Sequence, residues 1–122
     1  MLTTGPVQTL LLGTDNGDGT FTGVTTGASV PFPTRGFDEE AITFESVNTT
    51  SGGTLLIEEA TRKDYSGTWS QVASVSASAF TGGAQQTYHI SPSAFAGWMR
   101  VRISSDITGG GKVLVWNNRQ GS

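Results

Sequence analysis

The sequence predicts an all-β fold: an antiparallel β-sandwich with a jelly-roll-like arrangement of about eight strands. Apolar and polar residues alternate along the chain, and Gly, Pro, Asn or Asp interrupts the alternation every ~10 to 15 residues, as in sandwiches and barrels. The 122 residues include 17 Gly, which supply the positive φ angles of tight turns. No window carries the i, i+3, i+4, i+7 apolar spacing of an amphipathic helix. A chain of this length is expected to close one hydrophobic core.

Eight segments show this alternation and are predicted to be strands. They are residues 7–12, 20–26, 41–47, 54–59, 68–76, 86–90, 98–104 and 112–116. The last five are bounded by turns that contain glycine. One short helical turn is predicted at residues 93–95.

The N-terminal third differs from the remainder of the chain. It is rich in Thr and Gly, and Pro31, Phe32 and Pro33 precede an acidic run at residues 38–40. Proline cannot donate a hydrogen bond to a strand ladder, so no regular pairing is expected at residues 31–33. The predicted organisation is an N-terminal hairpin and extended arm over residues 1–40 and a β-sandwich core over residues 41–122. Such an arm often becomes ordered only against a neighbouring molecule.

Alternation within residues 98–103 assigns side chains to the two faces of a strand. The side chains predicted to face the core are Met99, Val101 and Ile103. The side chains predicted to share the opposite face are Trp98, Arg100 and Arg102. An aromatic ring beside two arginines is either a solvated face with stacked guanidinium groups or a protein interface.

Two other predicted strands are apolar at consecutive positions. Leu55 and Leu56 lie in one of them, and Leu114 and Trp116 belong to the apolar run of the other. Consecutive apolar residues indicate a strand that is covered on both faces. The sequence does not identify the second cover; in a domain of this size another protein is one candidate, so these residues are candidates for self-association.

Charge and composition disfavour several kinds of partner. The formal net charge is −3, with 7 Lys and Arg in total, which is not the basic footprint of a nucleic-acid-binding protein. The chain has no cysteine, so neither a disulfide framework nor a thiolate metal site is expected. Gln8 and Thr9 interrupt the apolar run at residues 7–12, so neither a signal peptide nor a membrane span is predicted.

The segment at residues 15–20 contains Asp15, Asn16 and Asp18, whose oxygens are of the kind that bind calcium. The spacing is not that of an EF-hand loop, because Gly17 and Gly19 occupy ligand positions. Asn-Gly and Asp-Gly pairs are typical of hairpin turns, so a turn is favoured over a metal site here.

No set of residues predicts catalysis. His89 is the only histidine, and no Gly-x-Ser-x-Gly motif marks a serine for it to activate. The adjacent carboxylates at residues 39–40 and 58–59 face opposite sides of their strands, so neither pair converges as in a glycosidase. The sequence therefore predicts a protein that is not an enzyme and binds no cofactor, with a hydrolase built around His89 as the least favoured alternative.

Four segments within residues 42–116, about 60% of the chain, resemble a known family. They are SGGTLLIE at 51–58, GTWSQV at 67–72, GWMRVRI at 97–103 and GGGKVLV at 109–115. In this order they resemble the β-sandwich modules of tailed-bacteriophage virion proteins, most of all capsid decoration (cement) proteins. The order is also similar to that of galactose-binding-like carbohydrate modules, which share the jelly-roll arrangement. The N-terminal third carries no part of this pattern.

The resemblance implies a virion protein, made in the host cytoplasm, that binds the major capsid protein on the outer capsid surface. Family members are often homotrimers, and many copies on one shell gain affinity from repeated weak contacts. The expected partner-binding residues are Pro31, Phe32, Pro33, Arg35, Phe37, Leu55, Leu56, Trp98, Arg100, Arg102, Leu114 and Trp116. The arm at residues 31–40 is expected to contact the capsid, so deletion of residues 1–40 is expected to abolish lattice binding.

A carbohydrate- or receptor-binding module of a phage tail or head fibre is the alternative function. Its aromatic platform would consist of Trp69, Tyr88 and Trp98, with Arg100 and Arg102 as the polar partners of the sugar hydroxyls. Binding to glycans without binding to empty capsids would favour this alternative.

Overall fold

The computed structural model describes residues 7–33, 39–90 and 97–120, which form strands, turns and one short 3₁₀ helix at Ala77–Phe80. The strands are β1 (Val7–Leu12), β2 (Thr14–Asp15), β3 (Phe21–Thr22), β4 (Phe32–Pro33), β5 (Glu39–Val47), β6 (Gly52–Ala60), β7 (Ser70–Ser76), β8 (Gln85–Ile90), β9 (Trp98–Thr108) and β10 (Lys112–Gln120). The helical turn expected at residues 93–95 lies outside the described residues.

Two four-stranded antiparallel sheets form the sandwich. Sheet 1 has the order β1-β10-β5-β8, and sheet 2 has the order β4-β9-β6-β7. If the small β2–β3 hairpin is set aside, sheet 1 contains the first, eighth, third and sixth strands, and sheet 2 contains the second, seventh, fourth and fifth. This is the strand order of a jelly roll. The predicted antiparallel, jelly-roll-like sandwich is confirmed.

The hydrophobic core fills the space between the two sheets. Its buried members are Leu12, Phe32, Ile42, Phe44, Leu55, Ile57, Val75, Ala77, Phe80, Ile90, Met99, Val101, Ile103, Ile107, Val113 and Val115. The rings of Phe44 on β5 and Phe80 in the 3₁₀ turn pack with their centroids 5.9 Å apart. Strand alternation correctly placed Met99, Val101 and Ile103 in this core.

The described part of the N-terminal segment closes one side of the sandwich. β1 pairs with β10, and Val24 continues that ladder through an isolated bridge to Val113. The chain then crosses to sheet 2, where Ser29 N–H donates to the Val101 carbonyl at 2.8 Å. Residues 7–33 are therefore integrated into both sheets, and the expected division at residue 40 does not separate them from the core.

The expectation that residues 31–33 cannot pair is wrong. Phe32 and Pro33 form β4, which pairs with Met99 and Trp98 of β9. β4 is the edge strand of sheet 2, a position where a missing N–H costs little because no further strand needs it. Phe32 points inward and is 8% exposed, so this short strand contributes an aromatic ring to the core.

The cover over Leu114 comes from the chain itself and not from another protein. Leu114 lies on the outer side of β10, yet it is only 3% exposed. Gly13, between β1 and β2, lies against it so closely that a Cβ there would be 2.5 Å from Leu114 Cδ2. Gly13 also has φ +125°, which favours glycine. The turn into the β2–β3 hairpin thus seals this part of sheet 1.

Leu55 and Leu56 point in opposite directions, as neighbours on a strand do. Leu55 is fully buried in the core, whereas Leu56 is half-buried on the outer face of sheet 2. Self-association through Leu55 would require the sandwich to open, and self-association through Leu114 would require the turn at Gly13 to move away.

Candidate interaction surfaces

The outer face of sheet 2 gathers aromatic and charged side chains. We call it the β9 face, and it consists of Leu56, Glu58, Trp69, Trp98, Arg100 and Arg102. Its members meet because β6 and β9 pair in a register that sets Leu56 opposite Arg102 and Glu58 opposite Arg100. The Arg100 guanidinium carbon lies 4.4 Å from the centroid of the Trp69 ring, within the range of a cation–π contact.

Glu58 holds the two arginines in place. Arg100 Nε and Arg102 Nε each donate a hydrogen bond of 3.0 Å to its Oε1, and Arg102 Nη2 donates one of 3.1 Å to Oε2. Burial acts to raise the pKa of Glu58, but the hydrogen bonds and positive charges of Arg102 and Arg100 outweigh it and lower that pKa. Glu58 is thus ionised at neutral pH, and the same bonds raise the pKa of Arg102.

The loop between β6 and β7 extends this face. Lys63 Nζ lies 6.0 Å from the centroid of the Trp98 ring, and the Arg62 guanidinium lies 5.3 Å from that of Tyr65. Together with Arg100 and Arg102, four of the seven Lys and Arg of an otherwise acidic chain lie at or beside the β9 face. Glu58 pairs with Arg100 and Arg102, and Asp64 pairs with Arg62 at 3.7 Å, so the result is an aromatic surface with a small excess of positive charge.

Of the twelve residues expected to bind a partner, four meet on the β9 face: Leu56, Trp98, Arg100 and Arg102. Phe32 and Leu55 are core residues. Pro31 is half-buried and Pro33 is exposed at the β4 edge. Leu114 and Trp116 lie on the outer face of sheet 1, and Arg35 and Phe37 lie outside the described residues. Of the expected partner-binding residues that the structure describes, only the four on the β9 face therefore form one contiguous surface.

A groove crosses the outer face of sheet 1. We call it the Trp116 groove; it has a volume of about 310 Å³ and is lined by Gln8, Phe21, Thr43, Glu45, Gln85, Trp116 and Asn118. The Phe21 and Trp116 rings have centroids 4.8 Å apart and planes at 86°. These nearly perpendicular rings form an aromatic corner at one end of the groove. Gln85 Nε2 donates a 2.7 Å hydrogen bond to Glu45 Oε1, which fixes both side chains at the other end.

The aromatic platform expected for sugar binding is not assembled. Tyr88 lies on β8 opposite Ile42 and packs against the core of sheet 1. Trp69 is 4% exposed beneath Arg100 and donates its indole N–H to the Tyr65 carbonyl at 2.9 Å. Trp98 and Tyr88 are both half-buried, but Trp98 lies on sheet 2 and Tyr88 on sheet 1. The expectation that these three residues form one platform is wrong, because they lie on different sheets and are buried to different extents.

A second buried carboxylate was not anticipated. Glu40 is 3% exposed, and its Oε1 accepts hydrogen bonds from Asn117 Nδ2 at 2.9 Å and Arg119 Nε at 3.0 Å. The Arg119 guanidinium lies 5.4 Å from the Phe32 ring centroid. This cluster ties β5 and β10 to β4 of the opposing sheet. Glu40 ends the acidic run at residues 38–40, and nothing in the local sequence distinguishes it as a buried carboxylate.

The segment at residues 15–20 forms the predicted turn. β2 and β3 pair as a hairpin, and Asp15 Oδ1 accepts the Gly17 N–H at 2.9 Å. Hydrogen bonds from the Thr20 hydroxyl and N–H lower the pKa of Asp18. Within the described segments, no group of three or more His, Cys, Asp or Glu is placed to hold a metal ion. His89 is exposed on the edge strand β8.

The fold and these surfaces define a class: a jelly-roll β-sandwich whose two outer sheet faces carry aromatic residues among polar and charged groups. No family model matches the chain, and no curated protein matches it. None of the helical structure seen in residues 7–33, 39–90 and 97–120 has the length and apolar character needed to cross a membrane.

Proposed function

We propose that this chain is a non-enzymatic structural protein of a tailed-bacteriophage virion. In this proposal it is made in the host cytoplasm, binds the major capsid protein on the outer capsid surface, and stabilises or decorates the head lattice. The supporting observation from the structure is the β9 face. The resemblance of its sequence segments to decoration proteins supplies the identity of the partner.

The β9 face has the composition of an interface core. Trp and Arg are the residue types most enriched at the energetic centres of protein interfaces. Glu58 and Trp69 already hold the arginines in fixed positions, so binding costs little side-chain entropy. The half-buried Trp98 and Leu56 supply apolar area beside the guanidinium groups. A partner surface with exposed carboxylates and an apolar patch complements this arrangement.

Assembly as a homotrimer on the lattice is part of the proposal. Several copies that bind one shell gain avidity from contacts that are individually weak. Such a trimer cannot use Leu55, which is buried in the core, or Leu114, which is covered by the turn at Gly13. Sedimentation equilibrium at micromolar concentration tests this part, with a mass three times that of the chain as the expected result.

Co-sedimentation with capsids that lack the protein tests the proposal. We expect the wild-type protein to pellet with capsids and Trp98→Ala to lose at least ~tenfold in affinity, since interface Trp residues dominate binding energy. His89→Ala, on the opposite sheet, serves as the matched control and should bind like the wild type. Thermal unfolding of each variant verifies that it is folded. No co-sedimentation of the wild type overturns capsid attachment, and unchanged binding of Trp98→Ala overturns the assignment of the β9 face.

A further inference from the structure

We propose that the Trp116 groove is a binding site for a neutral saccharide. The residues that carry this proposal lie on sheet 1, on the opposite side of the sandwich from the β9 face. It does not rest on capsid attachment and concerns a second surface.

The groove is built across all four strands of sheet 1. Gln8 of β1 lies opposite Asn118 of β10, and Trp116 of β10 lies opposite Thr43 of β5. Glu45 of β5 lies opposite Gln85 of β8. The lining residues therefore extend across the sheet from one edge strand to the other. Neighbouring strands lie about 4.8 Å apart, so the four strands span roughly 14 Å. That length accommodates an oligosaccharide of two or three rings laid across the strands.

The lining chemistry matches a sugar better than other ligands. The Phe21–Trp116 corner offers aromatic faces to the apolar C–H side of a pyranose ring. The amides of Gln8, Gln85 and Asn118 each provide donors and acceptors, and the Glu45 carboxylate provides acceptors for neighbouring hydroxyls. A volume of about 310 Å³ is at the lower end of small-molecule sites.

Charge selects a neutral saccharide over an anionic one. The seven lining residues include one carboxylate, Glu45, and no Lys, Arg or His. A phosphate, sulfate or sialic acid would be repelled by that carboxylate and would find no cation among the lining residues to compensate. A wholly apolar ligand would leave the amides and the carboxylate desolvated without hydrogen bonds.

Two of the polar groups are held ready for binding. Gln85 fixes Glu45 through the 2.7 Å hydrogen bond, and the Thr43 and Thr87 hydroxyl oxygens are hydrogen-bonded at 3.1 Å. These cross-strand bonds orient the polar wall against the aromatic corner. Because the site lies on strands and not on loops, its geometry changes little when a ligand binds.

A glycan array that contains neutral and anionic glycans tests the proposal with the intact chain. We expect binding to one or more neutral glycans. Glu45→Gln keeps the shape of the wall but removes the carboxylate, and it should weaken binding at least ~fivefold. Trp116→Ala should weaken it at least ~tenfold, and Asn118→Ala serves as a second variant in case the Trp116 substitution disturbs folding.

NMR titration of the best neutral glycan locates the site. The three Trp indole N–H signals can be assigned from single variants, and we expect the signal of Trp116 to shift while those of Trp69 and Trp98 do not. Trp98→Ala is the matched control, because it should lose capsid binding and retain the glycan. No binding to any neutral glycan, binding confined to anionic glycans, or binding unaffected by Glu45→Gln and Asn118→Ala overturns the proposal. Loss of capsid binding alone leaves it intact.

Discussion

Glu58 on β6 and Arg102 on β9 are joined by two hydrogen bonds, one of 3.0 Å from Nε and one of 3.1 Å from Nη2. Each of the two bonds reaches a different carboxylate oxygen, the paired geometry for which a guanidinium group is suited. The Glu58 side chain is 5% exposed, whereas that of Arg102 is 38% exposed. The carboxylate is therefore the buried anchor of the β9 face, and the arginines are its outward-facing part.

The first prediction concerns the charge of this anchor. Glu58→Gln keeps the size of the side chain but leaves Arg100 and Arg102 close together without a counter-charge. We expect a loss of about 1 to 3 kcal/mol in the free energy of unfolding, measured by urea denaturation. Asp64→Asn is the control, because both side chains of its ion pair with Arg62 are mostly exposed, and it should change stability by less than about 0.5 kcal/mol. Equal effects of the two substitutions would contradict this account.

Acid should weaken the same anchor. The folded state lowers the pKa of Glu58 below its ordinary value of about 4.5, so the unfolded state takes up the proton first as the pH falls. The contribution of Glu58 is complete above that ordinary value and disappears as the pH drops through the lower folded pKa. Urea denaturation of the wild type and Glu58→Gln at pH 7 and pH 3 should therefore show a stability difference that narrows in acid. A constant difference would argue against the ion cluster.

The close approach of Gly13 to Leu114 predicts a sensitive position. Gly13→Ala introduces a Cβ that collides with Leu114 and places alanine at a positive φ, so we expect a loss of about 2 to 4 kcal/mol. Gly17 also has a positive φ of +81°, but a Cβ there meets nothing within 4 Å. Gly17→Ala should thus show the backbone cost alone, about 1 kcal/mol. Similar losses in both variants would mean that Leu114 is not sealed by the turn.

The opposite directions of Leu55 and Leu56 predict unequal effects of truncation. Leu55→Ala removes a fully buried side chain from the core and should cost about 2 to 5 kcal/mol. Leu56→Ala, on the half-buried outer face, should cost about 1 kcal/mol or less. Thermal or urea unfolding of both variants measures the difference. A larger cost for Leu56 would reverse the assignment of faces on β6.

The inclusion of β4 in the sandwich predicts that Phe32 contributes to stability. Phe32→Ala removes a buried ring and its contact with the Arg119 guanidinium, so we expect a loss of about 3 kcal/mol. Pro33→Ala, at the exposed neighbouring position, is the control and should have a small effect. If Phe32→Ala is as stable as the wild type, residues 31–33 act as a free arm after all.

Deletion of residues 1–40 is a poor test of capsid binding, because it removes Leu12 and Phe32 from the core.

Period-two alternation was sufficient to predict most strands and the core side of β9. It works at Met99, Val101 and Ile103 because side-chain direction on a strand depends only on position along the chain. It could not predict the partners of Glu58, since the register that joins β6 to β9 pairs residues more than forty positions apart. The apolar run at residues 112–116 likewise left the cover of Leu114 unidentified, because the return of Gly13 over β10 depends on tertiary structure.

The two sheet faces illustrate the same limit. Trp98, Arg100 and Arg102 lie on one strand, so their shared face was predictable. The Trp116 groove takes its lining from β1, β3, β5, β8 and β10, and no short sequence window contains its chemistry. The proline rule failed at residues 31–33 because it depends on whether a strand is central or at an edge, which local sequence does not reveal.

The pairing of β1 with β10 has a consequence for how the protein folds. Val7 lies opposite Arg119 in that ladder, so sheet 1 closes only when segments separated by nearly the whole described length meet. Loop-closure entropy must be overcome before such distant contacts form, which makes folding slow for a domain of this size. During synthesis, β1 leaves the ribosome before β10 and has no strand to pair with until β10 has emerged. Between the emergence of β1 and that of β10, the nascent chain exposes the unpaired edges of an incomplete sheet, and in this interval aggregation or chaperone binding competes with folding.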